Sequence, residues 1–305
     1  MPEPSAIQPP KLSKGAIFFR RLFSFVVLWT VVIGSLFSGH KALSDYVFLL
    51  IILLLAVSGL LEFYGMARKL NYACYSGLGV LGGVLMILFT FICISGEFGP
   101  AVTPSRMNDR ETIFIIIFVL GLCVRQFVSR IVSTGIIAIS TTLFGMMYVP
   151  WLLNFIQKIN FFGQAGVEGP YYVLYFVLVT KFSDCGAYAV GSLIGRHKMI
   201  PRISPGKTWE GFGGAVVVST AASVIFAQMA GRHLAGMTLM HSIILGIILS
   251  IAAVVGDLIE SLFKREAGLK DSGSMFPGIG GILDLLDSLL FNAPIMYLYL
   301  RHVLT

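Results

Sequence analysis

In a chain of 305 residues, 56% hydrophobic and only 12% charged, there are too few charges to cover a water-soluble surface, since soluble domains carry about 25%. The net charge of +7 does not point to nucleic acid, because the basic residues sit in short loops between apolar runs rather than along one polar face. The four cysteines (Cys74, Cys93, Cys123 and Cys185) form no CxxC pair and the five histidines show no metal spacing, which argues against a zinc site or a disulfide framework.

In chain order, residues 1–20 read as a polar, Pro-rich cytoplasmic tail. Residues 21–305 read as one all-α polytopic transmembrane domain without repeat or linker. A helix needs ~20 apolar residues to cross the hydrocarbon core. By that rule spans are expected near 22–38, 46–63, 77–95, 112–128, 131–153, 171–195, 212–230, 239–257 and 282–300, about nine in all. Glu62 closes the second span and is either a remote part of the site or a residue reaching the interface, the second being the preferred reading. The sixth span is interrupted by Lys181 and Asp184. Its Gly191 and Gly195 form a GxxxG pair suited to close helix packing. Basic residues concentrate in alternate loops, which places the N-terminus in the cytoplasm.

Most remaining charges gather in two segments on that same side, 181–211 and 256–290. In the first, 201–208 nearly spells a P-loop, but Pro201 replaces the first glycine and no buried strand precedes it. The Gly206–Lys207–Thr208 segment is expected as a turn offering amides and an ammonium to phosphate. Trp209 reads as a base-stacking residue or an interfacial anchor. In the second, Asp257, Glu260, Ser261 and Lys264 share a helix face, and Asp284 and Asp287 share another. Any one of these charges could be a helix-end salt bridge. Together, acidic pairs on two helices mixed with Lys and Arg suit a divalent metal on phosphate: Mg²⁺ takes one or two carboxylates plus phosphate oxygens, and the cations neutralise the remaining charge.

These residues carry a resemblance. The stretch S-L-F-K-R-E-A-G-L-K-D-S-G followed by P-G-x-G-G-x-x-D-x-x-D-S, residues 261–288, resembles the signature of the phosphatidate cytidylyltransferases. The upstream S-D-x-x-A-Y-x-x-G and S-P-x-K-T-W-E-G, within 183–211, are similar to that family's second block. The resemblance implies an enzyme of the cell (inner) membrane that makes CDP-diacylglycerol and pyrophosphate from CTP and phosphatidate (phosphatidic acid). Its active site is expected within 181–294, facing the cytoplasm. On this reading Asp257, Asp284 and Asp287 hold Mg²⁺. Lys207, Lys264, Arg265, Lys270 and Asp271 act in catalysis, and Asp184, Thr208, Glu210, Ser261, Gly280 and Gly281 bind substrate. A second cation and a homodimer stay open. Two positions depart from the family pattern: Ile279 stands where His is usual, and Leu285 where Arg is usual. Arg265 is the first choice for a cation filling the space at Leu285. The alternatives are a CTP-dependent polyprenol or phytol kinase and a cation-coupled transporter.

Overall fold

The computed structural model describes residues 30, 32–37, 39–96, 99–129, 133–163, 166–270, 272–273 and 281–304. The tail and most of the first expected span lie outside these residues. Eight described helices are long and apolar enough to cross a membrane. They are α1 (Lys41–Lys69), α2 (Ser76–Ser95), α3 (Pro104–Val128), α4 (Gly135–Asn160), α5 (Gly169–Ile194), α6 (Trp209–His233), α7 (Leu239–Glu266) and α8 (Ile282–Leu304). They correspond to the second through ninth expected spans, and the chain is an all-α polytopic membrane protein.

Several helices run past the expected apolar limits, because hydropathy marks the hydrocarbon core and not the end of the helix. Helix α7 continues beyond residue 257 as far as Glu266, so Asp257, Glu260, Ser261 and Lys264 stand on one helix, as their spacing implies, and Arg265 stands there with them. Helix α1 ends on Arg68 and Lys69, cations placed where the helix dipole favours them. In α4, Pro150 lacks an amide donor, and the helix widens there into a π turn over Met147–Trp151.

Between α5 and α6 lies an antiparallel hairpin, β1 (Lys198–Ile200) and β2 (Ser204–Thr208), pairing Lys198 with Thr208 and Ile200 with Ser204. The expected turn at Gly206–Lys207–Thr208 is therefore strand β2, which feeds straight into α6. Thr208 caps that helix, accepting the Gly211 N–H at 3.1 Å. The α5–α6 contact depends on small residues. A Cβ on Gly211 would come within 2.9 Å of the Ala187 carbonyl oxygen, and one on Gly214 would overlap Val190.

The main core joins α1, α4, α5, α7 and α8 through residues such as Leu60, Val149, Phe176, Leu249 and Leu283. Helix α3 is peripheral: 11% of its apolar window is buried, against 56% for α8. Its exposed Ile117, Leu120 and Phe127 suit lipid. The C-terminal ends of α1, α5 and α7 and the N-terminal ends of α6 and α8 meet at one end of the bundle, joined by Glu62 to Ile282, Lys207 to Asp257 and Arg265 to Ile203.

Candidate active site

The hairpin lies beside the C-terminal part of α7, and between them opens a cavity of 420 Å³. Asp184 of α5, Gly206 and Lys207 of the hairpin, Gly211 of α6 and Asp257 of α7 line it. Lys207 Nζ pairs with Asp257 Oδ2 at 2.8 Å and donates to the Val254 carbonyl at 3.3 Å. Ser261 Oγ donates to the other Asp257 oxygen at 3.3 Å. Lys181 Nζ lies 3.5 Å from Asp184 Oδ2 and donates to the Leu285 carbonyl at 3.2 Å. From α8, Asp287 reaches the same region. Its Oδ1 accepts the Ser288 hydroxyl at 2.9 Å, its backbone oxygen packs against Gly256 of α7, and the charges of Asp257, Lys181 and Asp184 act on it. Asp184 and Asp257 thus line the cavity with Lys207, and Lys181 and Asp287 lie close enough for their charges to act there.

Asp284 does not join them. It occupies the first turn of α8, and its carboxylate folds back over the helix start. Oδ2 accepts the Gly281 N–H at 2.8 Å and the Ser272 N–H at 3.2 Å, while Oδ1 pairs with Lys264. Lys264 also pairs with the fully buried Glu260. Asp287 stands one turn later, and its charge acts on Glu260 as that of Asp284 does. Of the three aspartates expected to hold Mg²⁺, Asp284 makes its direct contacts with the start of α8 and Lys264, and Asp257 makes its own with Lys207 and Ser261.

Glu62 belongs to the Asp284 cluster. It accepts the Ile282 and Leu283 N–H groups, each at 2.9 Å, and the Ser272 hydroxyl at 3.0 Å. This corrects the reading of Glu62 as an interfacial residue. The first amides of a helix have no partner within it, and here two carboxylates, Glu62 and Asp284, hold them. Gly281 fits beneath because it has no side chain: a Cβ there would overlap Ser272 Oγ and crowd the Glu62 carboxylate.

The other expected residues take varied places. Thr208 is buried as the α6 cap, with its side chain also at the cavity wall. Glu210 accepts the Arg196 N–H at 3.1 Å and the His197 N–H at 3.2 Å and pairs with His197 Nδ1, so it fixes the entry to the hairpin. Arg265 donates to the carbonyls of Ile203 at 3.1 Å and Leu269 at 3.2 Å, tying the hairpin to α7. Lys270 is exposed. Asp271, Ile279 and Gly280 lie outside the described residues. All four cysteines are free.

Among the described residues no three His, Cys, Asp or Glu side chains stand together so as to hold a metal ion by themselves. An all-carboxylate set beside an open cavity still fits Mg²⁺, which binds through one or two carboxylates and takes its other ligands from water and phosphate.

The sequence profile of the cytidylyltransferase family matches residues 19–303. The chain belongs to the cytidylyltransferase family. It is 32% identical over 253 residues to the phosphatidate cytidylyltransferase of Staphylococcus saprophyticus, covering 83% of this chain and 91% of that one. It is 35% identical over 161 residues to the Escherichia coli K12 protein named "Uncharacterized protein YnbB", covering 53% and 51% of the two chains. With the phosphatidate cytidylyltransferase of Mycobacterium leprae the identity is 37% over 158 residues, covering 52% and 48%. The last two alignments span about half of those relatives. As a cytidylyltransferase the chain is a membrane-embedded nucleotidyltransferase, in keeping with the resemblance of its two charged blocks.

Proposed function

We propose that this cytidylyltransferase converts CTP and phosphatidate into CDP-diacylglycerol and pyrophosphate at the cytoplasmic face of the cell membrane. The observation that carries the reading is the 420 Å³ cavity holding the Lys207–Asp257 pair, within the size range of small-molecule sites. It opens at the end of a lipid-embedded bundle, where a soluble nucleotide and a membrane lipid can meet.

Phosphatidate presents a phosphate monoester whose second pKa, if like that of a phosphorylated side chain, is about 6. It is largely dianionic at neutral pH, so it needs no strong general base. A phosphatidate oxygen attacks the α-phosphorus of CTP. The new P–O bond forms as the bond to the bridging oxygen of the β-phosphate breaks, and pyrophosphate leaves with that electron pair. The difficulty is bringing two polyanions together, so catalysis here is positioning and electrostatics. Asp257 and Asp287, with Asp184 beside them, would hold Mg²⁺, which supplies positive charge to the nucleotide phosphates. Lys207 presents its ammonium to the phosphates from the cavity wall. Lys264 and Asp284 hold the start of α8 and so set where Asp287 points.

The test is incubation of purified protein with CTP, phosphatidate and Mg²⁺, followed by lipid and nucleotide analysis. CDP-diacylglycerol with equimolar pyrophosphate is the expected result. A lipid phosphate plus CDP formed from a polyprenol or phytol would mark a lipid kinase instead. Cation flux in proteoliposomes without CTP, with no lipid product, would mark a transporter. Either outcome overturns the reading.

A further inference from the structure

Lys158 and Lys181 lie within membrane-spanning helices, where a charge is expensive, and their surroundings differ. Lys158 of α4 is fully buried. Its ammonium pairs with Glu111 at 2.7 Å, donates to Asn108 Oδ1 at 3.0 Å and lies 3.6 Å from the centre of the Phe155 ring. Such a lysine is satisfied by the protein alone. Lys181 of α5 has a side chain 25% exposed, and among the described residues its partners are the Leu285 carbonyl at 3.2 Å and Asp184 at 3.5 Å, the latter at the outer limit of a hydrogen bond. An ammonium offers three donors, so Lys181 keeps capacity for a further acceptor. Its charge acts on Asp184 and Asp287, and Asp184 also lies within reach of the charges of Asp257 and Lys207.

The position it touches matters. Leu285 is where the family resemblance calls for an arginine, and the Lys181 ammonium rests on the backbone of that residue. Arg265, the first choice for a compensating cation, is committed to the Ile203 and Leu269 carbonyls. We propose that Lys181 is a phosphate-binding residue of the active site, delivering from α5 the positive charge that would otherwise come from residue 285 on α8. Asp184, one turn along the same helix, lines the cavity. Swinging the flexible four-carbon stem of Lys181 from the Leu285 carbonyl towards that cavity carries its ammonium to a bound phosphate. This inference rests on the proposed cytidylyl transfer.

The experiment compares wild type with Lys181→Met, Leu285→Arg and the double variant, in turnover of CTP and phosphatidate and in thermal stabilisation by CTP–Mg²⁺. Losing one charge-assisted phosphate contact should lower Lys181→Met turnover about 10- to 150-fold. Leu285→Arg should restore most of that loss in the double variant. In the wild-type background it should leave turnover unchanged or lower, since two cations then compete for one place. A purely structural lysine predicts no rescue, because an arginine on α8 cannot remake a tie from α5 to the α8 backbone. Wild-type turnover in Lys181→Met, no rescue in the double variant, or a clear gain in Leu285→Arg alone would each overturn the proposal. If Lys181→Met does not fold, the Leu285→Arg single variant decides: no gain supports the proposal, a gain refutes it. If wild type forms no CDP-diacylglycerol, yet CTP–Mg²⁺ stabilisation is lost in Lys181→Met and regained in the double variant, the proposed reaction fails and the role of Lys181 stands. Absence of both product and stabilisation in wild type removes both.

Discussion

Single residues separate the chemistry from its support. Asp257 lines the cavity and pairs with Lys207, whereas Asp284 caps α8 and pairs with Lys264. Asp257→Asn changes charge with little change of shape. It should lower cytidylyl transfer by at least ~100-fold, the scale seen when a stabiliser of developing charge is removed, with the melting temperature in detergent unchanged. Asp284→Asn should lower both activity and melting temperature, because it weakens several hydrogen bonds at the helix start. Equal melting temperatures for the two variants would refute the division of roles. The Asp257 face was legible from its spacing of three, four and seven residues to Glu260, Ser261 and Lys264. Glu62 was not, because its partners Ile282 and Leu283 lie 220 and 221 positions away. A lone glutamate closing an apolar run gives no sign of such a partner.

Helices were legible where hydropathy is sustained, and less so where polar residues continue them or strands are short. The β1–β2 hairpin has only three and five residues, with Pro205 and Gly206 in the second strand, so no alternation announces it. Among helix contacts, the Glu111–Lys158 pair between α3 and α4 offers a sharp test. Glu111 is 2% exposed and also accepts from Asn154 at 2.7 Å and Trp151 at 3.2 Å. Removing one partner of a buried pair strands the other charge and costs about 3–5 kcal/mol. Lys158→Met should therefore melt well below wild type. Adding Glu111→Gln should recover part of the loss, since the amide still accepts from Asn154 and carries no charge. If the double variant is no more stable than Lys158→Met, the pair is not energetically coupled. Turnover per folded molecule should hold in the double variant, because this network lies at the other end of the bundle from the cavity.

That two-ended construction governs the whole molecule. The end bearing the cavity also carries Arg68, Lys69, Arg196, Lys198, Arg202, Lys264 and Arg265, while α3 begins and α4 finishes at the opposite end. Cations favour the cytoplasmic side of a membrane, and CTP, the proposed substrate, is a cytosolic nucleotide, so the charge bias and the proposed function call for the same orientation. The direction can be read with cysteines placed in a background where the four native ones are serine. Arg202→Cys puts a thiol in the exposed turn between the strands, and Thr103→Cys puts one at the exposed start of α3, at the far end. An impermeant maleimide added to intact cells should label Thr103→Cys readily and Arg202→Cys only after the membrane is opened. Labelling of Arg202→Cys from outside, with Thr103→Cys protected, would invert the topology. The cavity would then face a compartment without CTP, and a nucleotide-using reaction at Lys207 and Asp257 could not be sustained.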